Sequence, residues 1–232
     1  MKFTKSLIKG KLVKRYKRFF TDIKLNQETI VAHCPNTGSM MGLLDEGNEV
    51  FVSKNDDPKR KLKYTLEIIK VKKNLVGVNT HFANKIAFHG LSNNLVKEVK
   101  NSNNIKPEVF FDKETRFDFL VEKDNQKTFV EVKNVTLSRK DKLAEFPDAV
   151  TSRGSKHLKT LIEATKKGYK TYLLFLVQIQ GVTDFKIAKD IDKEYYENYK
   201  LAKKAGVKFL AYRCKISSKE IKIEKKIKII ND

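Results

Sequence analysis

The sequence predicts an α+β protein of two domains, a small β-barrel over residues 1–80 and an α/β domain with a mixed sheet over residues 81–232. Short strand patterns separated by turns fill the first 80 residues, and helical periodicity begins only after residue 79. From there strands and helices alternate, which favours a mixed sheet with helical crossovers. The composition, 40% hydrophobic and 33% charged, is that of a globular protein.

The barrel is predicted from extended segments bounded by turn residues. Turns are expected at residues 35–38 and 55–58, where Pro, Asn, Asp and Gly cluster. Because a five-stranded barrel that binds nucleic acid is the oligonucleotide-binding type, an OB-fold-like barrel is the expected architecture. The predicted strands cover residues 12–20, 20–25, 29–33, 49–53, 64–70 and 75–78.

The second domain is predicted to begin with a helix over residues 82–100, followed by a polar loop over residues 101–107. The segment 170–178 has a continuous apolar run, which indicates a strand buried on both faces. Gly168 and Gly206 are suited to end the helices that precede them. The other predicted elements are strands over residues 116–121, 128–135 and 207–214 and helices over residues 152–167 and 193–205.

The net charge of +21, from 49 Lys and Arg against 28 Asp and Glu, makes polyanions such as DNA the expected partners. A biased genome that favours Lys, Asn and Ile is an alternative source of much of this excess. The basic residues cluster in residues 1–25 and 54–73, however, which favours a binding face. Only seven of the 49 are Arg, so we expect contacts with the DNA backbone rather than base readout.

Several classes of protein are disfavoured by what the sequence lacks. The longest apolar run, residues 172–177, is far shorter than the ~20 residues of a membrane span, and the first 20 residues contain no signal-peptide pattern. Two distant cysteines, Cys34 and Cys214, suggest a reducing compartment and a cytoplasmic protein. Without a P-loop, G-x-G-x-x-G or G-x-S-x-G motif, we expect no nucleotide cofactor and no serine hydrolase. The oligomeric state stays open.

The strongest local signal is Asp118, followed 13 residues later by Glu131-Val132-Lys133. Glu131 and Lys133 share one face of a strand, and a hairpin would bring Asp118 beside them. Two carboxylates suit Mg²⁺ or Mn²⁺, and a lysine can orient water and stabilise charge on a phosphate. This is the D…(D/E)-x-K pattern of metal-dependent nucleases. The alternative is a charged strand face exposed to solvent. The flanking apolar residues indicate a buried strand, however, where unpaired charges cost free energy.

Other residues allow two interpretations each. His157, with Arg153 one turn earlier, either contacts phosphate or caps a packing face. Glu98 is a third carboxylate for the metal or an exposed helical residue, and Gln178 belongs to the site or simply ends a strand. The pair His33-Cys34 is too isolated for a zinc site.

Several long strings occur in order along nearly the whole chain, among them LIKGKLVKRYKRF (7–19), HCPNTGSM (33–40), DDPKRKLKYTLE (56–67), RFDFL (116–120), VEVKNVTL (130–137) and FPDAVTSRGSKHL (146–158). Together they resemble the bacterial and archaeal family of sugar fermentation stimulation protein A. The resemblance implies an OB-like barrel, a nuclease-like domain of the PD-(D/E)xK type, DNA binding largely without sequence specificity, and a regulatory role in sugar (maltose) metabolism.

When the functional residues of the family are matched to this sequence one by one, the resemblance implies a catalytic set of Asp118, Glu131, Lys133 and His157. Asp118 and Glu131 would be the ligands of Mg²⁺ or Mn²⁺. One departure is Phe117-Asp118, where the pattern has Pro-Asp. Asp148 is expected to support the site. Two functions therefore stand side by side, a DNA-binding regulator and a metal-dependent nuclease, while no carbohydrate pocket is visible for direct sugar sensing. The expected DNA contacts are Lys14, Arg15, Lys17, Arg18, Lys59, Arg60 and Arg153.

Overall fold

The computed structural model describes residues 1–113 and 115–230. Its first part is a barrel closed by a parallel pairing of β3 with β5, in the order β3-β2-β1-β4-β5. Alternate residues point inward, so side chains such as Leu12, Ile23 and Val50 are buried in the barrel. The strands are β1 (Ile8–Tyr16), β2 (Phe20–Leu25), β3 (Glu28–His33), β4 (Glu49–Lys54) and β5 (Tyr64–Val71), with β6 (Asn74–Gly77) added beside β5.

The second part is built around a six-stranded mixed sheet in the order β15-β14-β12-β9-β8-β7. Strand β12 is parallel to both β9 and β14, whereas the outer pairs are antiparallel. These strands are β7 (Asn104–Phe110), β8 (Arg116–Lys123), β9 (Gln126–Val135), β12 (Lys170–Val177), β14 (Lys208–Ile216) and β15 (Ile221–Lys226).

Helices cover both faces of this sheet. One face of β9 and β12, with Phe129 and Phe175, belongs to the apolar cluster that includes α2 (Ser152–Lys166) and α3 (Lys193–Ala205). The other face, with Val130 and Leu174, packs with α1 (Ala83–Ser92). The near-continuous apolar sequence of β12 is therefore explained by its burial on both sides.

A second, small sheet lies beside the six-stranded one. It has the order β10-β11-β13-β16, in which β11, β13 and β16 are parallel. Its strands are β10 (Leu137–Lys140), β11 (Leu143–Phe146), β13 (Asp184–Ile187) and β16 (Lys228–Ile229).

The barrel is joined to the second part by shared apolar packing and by backbone hydrogen bonds. One apolar cluster contains barrel residues such as Leu66 and sheet residues such as Leu173. The N–H of Gly77 donates to the carbonyl of Gln178 over 3.0 Å, and the N–H of Gln180 donates to the carbonyl of Leu75 over 3.0 Å. This confirms the predicted α+β architecture of an OB-type barrel followed by a mixed-sheet domain, and the exact boundary at residue 80 stays a prediction.

Two predicted elements were wrong. The helix over residues 82–100 ends at Ser92, because Asn94 adopts a positive φ of 59° and the chain continues as a single 3-10 turn over Lys97–Val99. The expected loop over residues 101–107 is largely strand β7, which pairs with β8 at the edge of the sheet. Its polar sequence lacks the apolar alternation by which a strand is predicted. The C-terminal Lys-rich stretch also contains an edge strand, β15.

Among the helices of residues 1–113 and 115–230, none combines the length and the apolar character needed to cross a bilayer.

Candidate functional site

The site begins where strands β8 and β9 stop pairing. Their antiparallel ladder runs up to the pair Phe119–Val130. Next to that pair the N–H of Val132 donates to Oδ2 of Asp118 over 2.7 Å. A side-chain carboxylate therefore takes the place of a backbone partner and is held at the point where the ladder ends.

Asp118 is held at its second oxygen as well. The side-chain amide of Asn84, in the first turn of α1, donates to Oδ1 of Asp118 over 2.8 Å and reaches Oε1 of Glu108 at 3.3 Å. Burial, together with the negative charge of Glu131, raises the pKa of Asp118 to about 6. Asn84 was not predicted, because a single Asn in a helix carries no motif.

Glu131 and Lys133 lie on the face of β9 that is turned toward α2, as their spacing predicts. The ammonium of Lys133 donates to Oε1 of Glu131 over 2.9 Å and lies 3.4 Å from Nδ1 of His157. His157 Nδ1 also contacts the same Glu131 oxygen. Burial works to raise the pKa of Glu131, but Lys133 and His157 outweigh it and hold the pKa below its ordinary value.

The position of His157 follows from how α2 starts. Thr151 caps the helix by accepting a hydrogen bond from the N–H of Gly154 over 3.0 Å. Gly154 lets α3 approach closely, since a Cβ there would lie 3.0 Å from Cε2 of Tyr195. Arg153, in the same turn, donates from Nε to Nε2 of His157 over 3.4 Å. The first turn of α2 therefore brings a histidine and an arginine to the site.

Glu131 and Tyr195 each have a buried polar atom without a hydrogen-bond partner among the described residues. These atoms are Oε2 of Glu131 and the hydroxyl oxygen of Tyr195. Glu131 is 2% exposed and Tyr195 is 0% exposed. Burial, followed by the negative charge of Glu131, raises the pKa of Tyr195. Tyr195 was missed by the sequence, where it belongs to an ordinary amphipathic helix.

The site opens into a cleft with a volume of about 660 Å³. Its lining combines the cations Arg116, Arg153 and Lys156 with His157 and with two carboxylates, Asp118 and Glu108. Arg116 forms an ion pair with Glu108 at 2.9 Å. A cleft with basic walls around a carboxylate can bring a phosphate group to this site.

The predicted residues Asp118, Glu131, Lys133, Arg153 and His157 thus lie together, but the other candidates do not. The two carboxylate oxygens of Glu98 are engaged by the hydroxyl of Tyr212 at 2.7 Å and the ammonium of Lys226 at 2.6 Å. Gln178 is buried and donates to Asn134 over 2.6 Å.

Asp148 contacts the barrel instead of the site. Its backbone carbonyl accepts a hydrogen bond from the hydroxyl of Ser39 over 2.8 Å. A Cβ at Gly38 would lie 2.2 Å from Oδ2 of Asp148, so the loop after β3 approaches Asp148 as closely as only glycine allows. The two strings HCPNTGSM and FPDAVTSRGSKHL therefore meet in space, which ties the barrel to the segment that leads into α2.

The predicted DNA contacts of the barrel lie at one end of the β1–β2 hairpin and in the β4–β5 connection. Lys17, Arg18 and Lys59 are exposed. Lys14 is also exposed and lies 3.8 Å from a carboxylate oxygen of Asp22.

Arg15 and Arg60 are partly used inside the barrel. The guanidinium of Arg15 donates to the carbonyl oxygens of Asn36 and Gly38, over 2.6 and 3.1 Å, and so holds that loop. Arg60 donates to Oγ1 of Thr65 over 3.0 Å. The roles of all seven basic residues stay predictions.

Comparison with known proteins gives a consistent result over the whole chain. The family model described as "Sugar fermentation stimulation protein RE domain" matches residues 81–220, and the model described as "SfsA N-terminal OB domain" matches residues 13–78. The sugar fermentation stimulation protein homolog of Pelagibacter ubique (strain HTCC1062) is 84% identical over 231 residues, covering 100% of both chains. That of Pseudoalteromonas atlantica (strain T6c / ATCC BAA-1087) is 44% identical over 234 residues, covering 99% of this chain and 100% of the relative.

A solved structure shares the fold. The structure of Pyrococcus furiosus SfsA in complex with Ca²⁺ superposes with a TM-score of 0.88 at 24% sequence identity, covering 100% of this chain and 98% of the other. The residue strings, the two family models and the full-length relatives agree. This chain belongs to the sugar fermentation stimulation protein family.

Proposed function

We propose that this protein binds DNA mainly through the phosphate backbone and hydrolyses phosphodiester bonds in the cleft at Asp118, Glu131 and Lys133, with Mg²⁺ or Mn²⁺. One observation carries the proposal. Oε2 of Glu131 is a buried carboxylate oxygen without a hydrogen-bond partner among the described residues, beside a second carboxylate. A desolvated oxygen of this kind is costly unless a cation or a hydrogen-bond donor binds it, and a divalent cation satisfies it together with the neighbouring carboxylate.

The residues fit a divalent cation that binds few protein ligands. Among residues 1–113 and 115–230, no group of three His, Cys, Asp or Glu side chains could hold a metal ion. Two carboxylates remain, those of Asp118 and Glu131, and Mg²⁺ characteristically uses one or two carboxylates and completes its shell with water and substrate phosphate. The relative from Pyrococcus furiosus was solved in complex with Ca²⁺, which supports use of a divalent cation here.

The chain's own residues have separate tasks in this proposal. A bound divalent cation supplies Lewis-acid activation of the phosphate and of water. Asn84 and the Val132 amide orient Asp118, and His157 orients Glu131. The ammonium of Lys133 lies where it can position water and stabilise negative charge on the phosphate oxygens. Arg116, Arg153 and Lys156 line the cleft and attract the DNA backbone.

The test is cleavage of single-stranded, duplex and branched DNA and of RNA, with Mg²⁺, Mn²⁺, Ca²⁺ or EDTA. We expect cleavage to require Mg²⁺ or Mn²⁺. Glu131→Ala or Lys133→Ala should each lower the cleavage rate by at least about 100-fold and leave DNA affinity unchanged. Glu98→Ala is the matched control, since Glu98 is a carboxylate engaged elsewhere. Absence of cleavage on every substrate with every metal contradicts the hydrolytic part of the proposal.

DNA binding itself is tested on the barrel. Charge reversal of Lys14, Lys17 and Arg18 is expected to weaken binding to all sequences alike. The slope of log affinity against log salt concentration should also become shallower, by about one unit for each phosphate that the variant no longer neutralises. Charge reversal of Lys203 and Lys204, on the far end of α3, is the control. Unchanged affinity and salt slope in the barrel variant would show that DNA binds elsewhere.

A second function, a DNA-binding regulator of sugar (maltose) metabolism without cleavage, is favoured by a different observation. Both Lys133 and His157 contact Oε1 of Glu131, so one of the four carboxylate oxygens of the pair is already neutralised without a metal. The name of the family, sugar fermentation stimulation protein, supports a role in sugar use. DNA binding without turnover, together with altered expression of sugar-utilisation genes on deletion, would favour this function over hydrolysis.

A further inference from the structure

A second cationic cavity lies on the other side of the start of α1. It has a volume of about 500 Å³ and is enclosed by the N-terminal segment, the chain that follows β4, strand β5 and the first residues of α1. It shares none of its lining with the cleft at Asp118. Adjacent residues of α1 face the two spaces, since Asn84 lines the cleft and Lys85 lines the cavity.

The cations of this cavity are not balanced by carboxylates. Of its two acidic groups, Asp56 forms an ion pair with Lys5 at 2.6 Å. The remaining cations, Lys2, Lys54, Arg60 and Lys85, form no ion pair with any carboxylate that the structure describes. Like charges that converge on a concave space repel one another and focus a positive field there, so an anion is the complementary ligand.

The other acidic group, Glu67, accepts hydrogen bonds from two barrel side chains. It is 2% exposed, Ser53 donates to its Oε1 over 2.6 Å, and Asn79 donates to its Oε2 over 2.7 Å. Burial raises the pKa of Glu67 above its ordinary value. Glu67 is a single carboxylate among four further lining cations, Lys2, Lys54, Arg60 and Lys85, so the cavity keeps an excess of positive charge.

The walls of the cavity indicate what the anion carries. Phe3 and Phe82 line it and pack edge to face, with ring centroids 6.1 Å apart. Half-buried aromatic rings next to cations are suited to a planar base attached to a phosphate. Arg60 provides a planar guanidinium, which binds phosphate oxygens in a bidentate manner.

We propose that this cavity is a second anion site, which binds a nucleoside phosphate through Arg60, Lys54 and Lys85, with the base against Phe3 and Phe82. The ligand is either a free mononucleotide or the phosphorylated terminal nucleotide of a nucleic-acid strand, since both present the same phosphate monoester. This site goes beyond the proposed phosphodiester chemistry and does not depend on Asp118 or Glu131.

The first experiment is calorimetric titration of the full-length protein with adenosine 5′-monophosphate, with inorganic phosphate and with adenosine at low ionic strength. We expect saturable binding of the monophosphate, weaker binding of inorganic phosphate and little binding of adenosine. The variant Lys54→Ala/Lys85→Ala is expected to weaken binding of the monophosphate by at least about tenfold. The control Lys72→Ala/Lys73→Ala, on the β5–β6 turn outside the cavity, removes the same charge and should change little.

A second arm distinguishes the two sources of the phosphate. Short oligonucleotides with a 5′-phosphate, a 3′-phosphate or free hydroxyl ends compete against the monophosphate. Preference for one phosphorylated end identifies a strand terminus, and lack of competition by all three identifies the free mononucleotide. Equal competition by all three overturns the proposal, because the oligonucleotide with hydroxyl ends has no phosphate monoester. The titration is repeated with Glu131→Ala, where binding should be unchanged, so a failure of the hydrolytic proposal leaves this result intact.

Absence of saturable monophosphate binding, or equal weakening by the control pair, overturns the proposal. Arg60 donates to Thr65, so Arg60→Ala carries a risk to folding. Arg60→Lys is used instead, which keeps the charge but removes the planar donor pair. Weaker monophosphate binding by a folded Arg60→Lys variant supports the proposal, and unchanged binding removes Arg60 from the site.

Discussion

Among the single residues of the site, Asp118 has a carboxyl group whose pKa is raised to about 6 by burial and by Glu131. The folded protein therefore holds this proton to higher pH than the unfolded chain. Asp118 therefore stabilises the folded protein below about pH 4, and this contribution is lost as the pH rises through about 6. The loss lowers the free energy of unfolding by at most about 3 kcal/mol.

Asp118→Asn tests this in the metal-free protein. We expect the decline in the free energy of unfolding between pH 4 and 7, measured by urea titration in EDTA, to become shallower in the variant. Asp124→Asn, on the exposed β8–β9 turn, is the control and should keep the wild-type pH profile. If Asp118→Asn kept the wild-type dependence of unfolding free energy on pH, the pKa of Asp118 would be the same in the folded and unfolded protein.

Two buried tyrosines differ in one respect, which makes them a matched pair. The hydroxyl of Tyr212 donates to Glu98 over 2.7 Å and accepts from the N–H of Lys97 over 3.1 Å, whereas that of Tyr195 has no partner among the described residues. Tyr212→Phe should therefore lower the free energy of unfolding by about 1–3 kcal/mol, and Tyr195→Phe should leave it unchanged or raise it. Destabilisation by Tyr195→Phe would show that the Tyr195 hydroxyl makes a favourable polar contact in the folded protein.

At the scale of elements, the contact between α2 and α3 sets where His157 lies. A Cβ added at Gly154 would lie 3.0 Å from Cε2 of Tyr195 and 2.8 Å from Cγ2 of Thr151. Gly154→Ala should therefore push the first turn of α2 outward and cost about 1–3 kcal/mol of stability. Ser152→Ala, exposed in the same turn, is the control. Equal melting temperatures for the two variants would show that α3 yields without cost.

The elements also differ, for physical reasons, in how far the sequence predicts them. Strand β12 is predicted almost to the residue, because burial on both faces leaves a continuous apolar run. The edge strands β7 and β15 escape prediction, since each is paired on one side only and carries polar residues. The first helix is predicted too long, because the apolar residues after Ser92 continue the pattern although the backbone turns at Asn94.

For the site, the sequence could predict which strands carry the carboxylates but not what holds them. The spacing of Glu131 and Lys133 places both on one face of any strand. The contacts of Asn84 and Tyr195 depend on where α1 and α3 pack, which is decided by long-range contacts that leave no local pattern.

At the scale of the whole molecule, the barrel and the sheet domain share one apolar cluster and a backbone contact between residues 75–77 and 178–180. We therefore expect one cooperative unfolding transition and not two. Because the chain has no Trp, single-Trp variants provide local probes, with Tyr16→Trp, stacked on Phe20, reporting on the barrel and Tyr172→Trp on the sheet. Coincident midpoints in urea support a single unit, and separate midpoints would show that the barrel unfolds alone.

The hydrogen bond from the Val132 amide to the carboxylate of Asp118 has a practical consequence. A strand amide bonded to a side chain, not to a neighbouring strand, changes its magnetic environment whenever that side chain is protonated, binds a cation or turns toward a ligand. The amide resonance of this one residue in a ¹⁵N spectrum should therefore move with the state of the site. The protein thus carries a natural reporter by which binding of a metal or a DNA strand can be detected without an attached probe or an assay of turnover.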